Sequence, residues 1–237
     1  MTSRLAENLA DVQSRIAAAA GRSGREAEAV TLVAVTKYVG IAATRALIEA
    51  GCQDLGESRP QELWSKTAAL QSSAVKGLPV RWHMIGHLQR NKVDRTVPLV
   101  SLVHSGDSLR ILETLNASAG GSDRKLPVLL EVNISGDATK HGFAPTEIEP
   151  LLETLVAKTW LDLRGLMAMA GREGDLESSR REFSQFRDLR DHLRTAWHGR
   201  FDLPELSMGM SGDYEVAIEE GATIVRVGSA LFEGVNE

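Results

Sequence analysis

Lys37 closes the run Thr31-Leu32-Val33-Ala34-Val35-Thr36-Lys37. Apolar and β-branched residues in unbroken succession form the kind of strand that is buried on both faces in a parallel sheet. An amine held at the rim of such a core is partly desolvated, which frees its lone pair for attack on a carbonyl. A lysine there can equally mark the strand end and extend its head to water. Two further segments bear on that choice. Ser207-Met208-Gly209-Met210-Ser211-Gly212 supplies small residues, hydroxyls and free backbone N–H groups ahead of an expected helix, all of which suit an anion. Arg226-Val227-Gly228-Ser229 offers a second such turn with a permanent cation. Either segment alone is as well explained by Ser211 capping a helix and by Gly209 and Gly228 permitting tight turns. The two together favour a phosphate site beside a reactive amine.

Other residue types carry weaker signals. His83 stands at the end of an expected strand and could serve as a general base, although a single histidine there is more often hydrogen-bonded structure, and His104 is similar. Met167, Met169, Met208 and Met210 could wrap a planar ligand or simply fill the core. The histidines and carboxylates show no recognisable metal-ligand spacing such as H-E-x-x-H, so no metal is expected. Cys52 is the one cysteine, which rules out an internal disulfide, and it reads as a small buried apolar residue.

Eight short strands are expected to position these groups, at 31–37, 54–56, 80–85, 99–104, 127–133, 163–169, 206–208 and 222–227. Helices are expected between them at 41–50, 60–70, from near His87, and at 107–117 with Asp107 as cap. Further helices follow along the stripe of Ile148, Leu151, Leu152, Leu155 and Val156, along Phe183, Phe186, Leu189, Leu193 and Trp197, and at 211–220. A glycine-containing loop is expected to lead into the helix of Phe183. Leu5, Leu9, Val12 and Ile16 give an opening helix one apolar stripe. Strict alternation without linker or low-complexity sequence predicts a single-domain α/β fold over residues 1–237. Its architecture is a (β/α)8 TIM-type barrel with an additional N-terminal helix. A doubly wound open sheet is the rival, because alternation does not prove closure. In a barrel of this kind the reactive groups gather at the C-terminal ends of the strands, with phosphate held after strands seven and eight.

The 237 residues are 43% hydrophobic and 25% charged, with a formal net charge of −5 and no dense basic block, which argues against nucleic acid or an anionic membrane as the main partner. The first residues lack the apolar core of a signal peptide, and no apolar run reaches the roughly 20 residues of a membrane helix. A cytoplasmic location is expected.

A lysine at the end of strand one and a phosphate site after strands seven and eight suggest pyridoxal 5'-phosphate (PLP) held as an internal aldimine. The sequence closely resembles the pyridoxal phosphate homeostasis proteins, single-domain relatives of the alanine racemase barrel. The resemblance lies in residues 33–37, Gly56-Glu57-Ser58-Arg59-Pro60-Gln61-Glu62, residues 82–92, Val132-Asn133-Ile134-Ser135 with Lys140 and Gly142, and residues 163–169. It continues through Leu206-Ser207-Met208-Gly209-Met210-Ser211-Gly212-Asp213 and residues 225–234. It implies Lys37 as the Schiff-base lysine, a phosphate held by Ser211, Gly212, Gly228 and Ser229, and Arg226 near the cofactor. Ser58, His83 and Met208 complete the expected cofactor contacts. Ser58 stands where the family usually has asparagine, His87 where it commonly has proline, and Glu233 is inserted in the Phe-Gly ending.

The function this implies is intracellular storage, sequestration or delivery of PLP by a monomer, with apo-enzymes that use PLP as acceptors and without efficient amino-acid turnover. An amino-acid racemase is the second reading. It needs acid/base groups on opposite faces of the substrate, and the chain has only Tyr38 and Tyr214 to set against the lysine. A class I aldolase and a scaffold with a relic pocket complete the alternatives.

Overall fold

The computed structural model describes residues 2–71, 75, 77–137, 139–171 and 175–235. Eight strands are found among the described residues: β1 (Thr31–Val35), β2 (Asp54–Glu57), β3 (Arg81–Met84), β4 (Leu102–Gly106), β5 (Leu126–Glu131), β6 (Leu161–Met167), β7 (Glu205–Ser207) and β8 (Ile224–Val227). Each pairs in parallel with the next, and β8 returns to β1 with Thr31 opposite Ile224 and Ala34 opposite Val227. The sheet is therefore a closed barrel, and the open doubly wound alternative is excluded.

The helices are α1 (Thr2–Arg22), α2 (Ile41–Glu49), α3 (Pro60–Gln71), α4 (Val93–Thr96), α5 (Leu109–Gly120), α6 (Ile148–Leu155), α7 (Leu176–Ala196) and α8 (Tyr214–Glu219). Leu5, Leu9, Val12 and Ile16 of α1 are all buried, as their spacing requires. Phe183, Phe186 and Leu193 likewise turn α7 onto the barrel, with Leu189 and Trp197 half-buried at the edge. Residues 172–174 of the glycine-containing loop ahead of α7 lie outside the described residues.

Four local expectations are corrected. Asp107 does not cap α5; Ser108 does, accepting the Ile111 N–H, while Asp107 turns instead to His87. Val156 lies beyond the last turn of α6 and is exposed. The helix expected from near His87 begins only with a 3-10 turn at Arg90–Lys92 that runs into α4. Ser211 does not open α8, which starts at Tyr214, because the Ser211-Gly212-Asp213 turn is held separately by an Asp213 carboxylate accepting the Met210 N–H at 2.6 Å.

The barrel interior is filled by side chains, as small barrels require. Val33, Leu102, Leu129, Met167 and Ile224 form an apolar cluster there. Beside it a buried polar chain crosses the interior from β2 to β8. Arg226 donates to Ser207 Oγ at 2.6 Å, Ser207 Oγ meets His104 Nδ1 at 2.9 Å, His104 Nε2 meets His83 Nδ1 at 2.9 Å, and His83 Nε2 meets Asp54 Oδ1 at 3.0 Å.

Candidate functional site

The C-terminal ends of the strands frame a cavity of about 400 Å³. Lys37, Ser58, Ser211, Gly212, Arg226, Gly228 and Ser229 all line it, so seven of the nine expected cofactor contacts meet in one place. Its walls are apolar side chains, among them Val35, Ile85, Met169, Met210 and Phe232. An amine, a guanidinium, three hydroxyls and backbone N–H groups around an apolar slot suit a flat ligand that carries a carbonyl and an anionic group.

His83 and Met208 stand apart from the other seven: both are buried, and neither lines the cavity. Met208 packs in the main core with the helix residues: Ser207 before it points into the barrel, where it meets His104 and Arg226, and alternation turns the next side chain to the other side of the sheet. His83 is a link in the polar chain. The directions are fixed at its two ends, where Arg226 can only donate to Ser207 and the Asp54 carboxylate can only accept from His83. Burial, with His83 and Arg226 nearby, holds His104 well below the usual imidazole range. Burial would raise the Asp54 carboxyl, but hydrogen bonds from His83 and Arg81 hold it below its ordinary value.

Arg226 is thereby fixed from behind. It also donates to the backbone oxygens of Ser207 at 2.8 Å and Ala168 at 2.9 Å. Burial lowers it to about 10, so it keeps its charge at neutral pH. Glu131 stands nearby at the end of β5, and burial, followed by the charge of Asp107, pushes its carboxyl up to about 7.

The turns after β7 and β8 are stitched together. Ser211 Oγ accepts the Gly228 N–H at 3.1 Å, which leaves the hydroxyl proton free to donate into the cavity. Gly209 has φ +90°, and a Cβ there would meet Ala217 Cβ at 2.6 Å, so glycine lets this turn lie flat on α8. Lys37 leaves β1 with its ammonium 4.8 Å from the centroid of the exposed Tyr38 ring.

A buried ion pair beneath Lys37 was not foreseen from the sequence. Lys66 Nζ lies 2.5 Å from Glu57 Oε1 and donates to the Thr36 carbonyl at 2.7 Å, and Thr36 Oγ1 donates to the same carboxylate oxygen at 2.7 Å. The strand end that presents Lys37 is thus tied to α3. The available signal is the spacing of Leu63, Lys66, Thr67 and Leu70, which puts a lysine within the apolar face of α3.

Residues 3–235 match the family of the alanine racemase N-terminal domain. The chain is 40% identical over 230 residues to the pyridoxal phosphate homeostasis protein of Pseudomonas aeruginosa, covering 97% of this chain and 95% of that one. It is 37% identical over 231 residues to the protein of the same name from Escherichia coli, covering 96% and 95%. Among solved structures, PipY of Synechococcus elongatus with PLP bound superposes with a TM-score of 0.84 at 32% identity, covering 96% of this chain and 99% of that one. An alanine racemase from Clostridium difficile shares the fold, with a TM-score of 0.72 at 16% identity and 56% of its own length covered. With matches of this extent, the chain belongs to the alanine racemase N-terminal domain family and, within it, groups with the pyridoxal phosphate homeostasis proteins.

Proposed function

We propose that the chain, acting as one domain over residues 1–237, binds pyridoxal 5'-phosphate reversibly and serves intracellular PLP homeostasis by storing it or handing it to apo-enzymes. The observation that carries this reading is the meeting of Lys37 with Arg226 and the Ser211–Gly228 turn pair in one apolar-walled cavity. The donor set fits the group: a primary amine for its aldehyde, hydroxyl and N–H donors for its phosphate, and a buried guanidinium held in position. When bound, PLP supplies an aldehyde that captures amines reversibly. The chain's own residues do the rest. Lys37 presents the amine, Ser211, Gly212, Gly228 and Ser229 hold the phosphate, Ser58 borders the slot, and the Ser207–His104–His83–Asp54 chain keeps Arg226 from turning away.

Turnover of amino acids needs a proton donor on each face of the substrate. Tyr38 adjoins Lys37 and is exposed, and Tyr214 is buried against the Arg15 side of α1, lining a different cleft. Neither is placed opposite the lysine, so a binding protein is favoured over a racemase.

The test is borohydride reduction of the PLP-loaded protein followed by peptide mapping. A covalent adduct on Lys37 is expected, and its loss in a folded Lys37→Ala variant. A wild-type protein that stays unlabelled after incubation with PLP overturns the proposal. Exchange of α-deuterium from common L- and D-amino acids at enzyme-like rates, on the order of 1 s⁻¹ or more, would instead establish the racemase reading.

A further inference from the structure

A second constellation lies on the same rim, over β3, β4 and β5. One ligand atom from each of His87, Asp107 and His141 falls within 4.8 Å of the others. The three residues come from three different strand-end loops, which is why no spacing in the sequence announces them. We propose that they form a binding site for a divalent transition-metal ion of the zinc type.

The donor set favours such an ion. Two imidazoles and one carboxylate suit zinc and its neighbours, whereas magnesium and calcium call for oxygen ligands. The Asp107 side chain is only 3% exposed, and its carboxylate is held against His87 Nδ1. His87 Nδ1 and the Asp107 carboxylate already face each other, so an ion entering between them takes the place of the proton they share. The site faces water: the side chain of His87 is 48% exposed and His141 is exposed as well.

The two histidines stand on anchored loops. The loop of His87 is held where Ser105 Oγ donates to the Gly86 carbonyl at 2.7 Å. The loop of His141 is pinned on both sides. Lys140 donates to Ser135 Oγ at 3.0 Å and to the Ala170 carbonyl at 2.9 Å. Beyond it Phe143 N–H donates to the Glu131 carbonyl at 2.9 Å. Between these anchors Gly142 has φ +103° with a would-be Cβ 2.8 Å from that same carbonyl, a turn closed to other residues. Binding therefore requires little ordering of the chain.

The rings must still adjust. His87 and His141 stack with centroids 4.7 Å apart and planes 15° from parallel. Two parallel rings cannot both aim a nitrogen at one ion, so one imidazole has to turn about its side-chain torsions. Ligand atoms bound to zinc at about 2.0–2.2 Å stand roughly 3.4 Å apart, so the move is a small closure of the existing cluster. Three protein ligands leave a coordination position open to water or to an outside ligand.

The test uses untagged full-length protein, free of PLP, titrated with Zn²⁺ against a chromophoric chelator and with Co²⁺ followed by its visible spectrum. About one ion per chain is expected, with a Kd on the order of 1 μM or tighter. His87→Ala and His141→Ala should each weaken binding by about 100-fold or more, a loss that even outer partners of metal ligands can approach. Both side chains are exposed, so both variants should fold, and Asp107→Asn is a further arm. Magnesium should not compete. Absence of stoichiometric zinc binding overturns the proposal, as does binding that survives both histidine variants. Binding abolished by His192→Ala or His198→Ala instead would place the ion on α7 or just past its end and overturn it equally.

Discussion

Two buried cations lie close to the cofactor cavity, and they are satisfied in opposite ways. Lys66, 3% exposed, meets a full anionic partner in Glu57 and adds the Thr36 carbonyl. Arg226, 4% exposed, is held by neutral oxygens of Ser207 and Ala168. Its acidic neighbours Glu131 and Asp213 act on it across space, without a hydrogen bond to it among the described residues. A charge that is already neutralised has little left to offer a ligand, and breaking it leaves its partner stranded in a dry site. A charge held in place but not neutralised is available to an incoming anion or ring nitrogen. The Lys66 pair is scaffold for the strand end that carries Lys37. Arg226 lines the cavity itself.

The largest expected effect follows from the scaffold half. Lys66→Ala removes one member of a buried pair and should lower the unfolding free energy by about 3–5 kcal/mol, read by denaturant titration. Replacing both members, as Lys66→Met with Glu57→Gln, should recover most of that loss, because no charge is left unpaired. A single variant costing under about 1 kcal/mol would show that the pair is not carrying the strand end.

The second effect tests whether Arg226 lacks a full counterion. Burial and Asp107 raise the Glu131 carboxyl from 4.5 to about 7, so the folded protein holds a proton there that the unfolded chain releases. A folded-state pKa above the unfolded one gives stability that is present at low pH and lost as pH rises. Between pH 4.5 and 7 this one group should therefore cost the wild type on the order of 3 kcal/mol of stability. Glu131→Gln should remove that slope, seen as the difference between the two stability–pH curves. Curves that stay parallel across the window would mean that Glu131 is ionised throughout and serves as the arginine's counterion after all.

Much of this contrast was legible in the sequence and part was not, for definite reasons. The strands, the lysine just past the first of them and the two small-residue turns are local patterns, and local patterns survive folding. Closure of the barrel was an inference from alternation that only the β1–β8 pairing could decide. His83 and Met208 fall outside the cavity because a position near a strand end does not reveal whether the side chain points into the barrel, towards the helices or out at its mouth. Met210 was nearer the mark among the methionines, since the Gly209 turn carries it clear of the core. Lys66 escaped notice because its partner Glu57 comes from a strand and itself from the following helix, a pairing no periodicity encodes. Asp107 read as a cap by type and spacing, yet its oxygen was drawn to His87 from a different loop.

The smallest effect tests the division of labour within the binding half. Ser211 Oγ accepts the Gly228 N–H and keeps one proton to give to a phosphate oxygen. Ser211→Ala removes that donor but also releases the Gly228 N–H, which can then point at the same anion and restore part of the loss. A hydrogen bond to a charged group contributes about 1.5–3 kcal/mol, so with this compensation PLP affinity should fall by roughly tenfold. Folding stability should change by less than about 1 kcal/mol, since the residue is half-exposed and bonded only through a turn. The control is pyridoxal, which has the aldehyde and ring but no phosphate, and its binding should be the same in wild type and variant. Equal losses for both ligands would assign the turn to the ring and not to the phosphate. A loss confined to PLP would leave Arg226, with its charge uncompensated, as the group that reads the rest of the molecule.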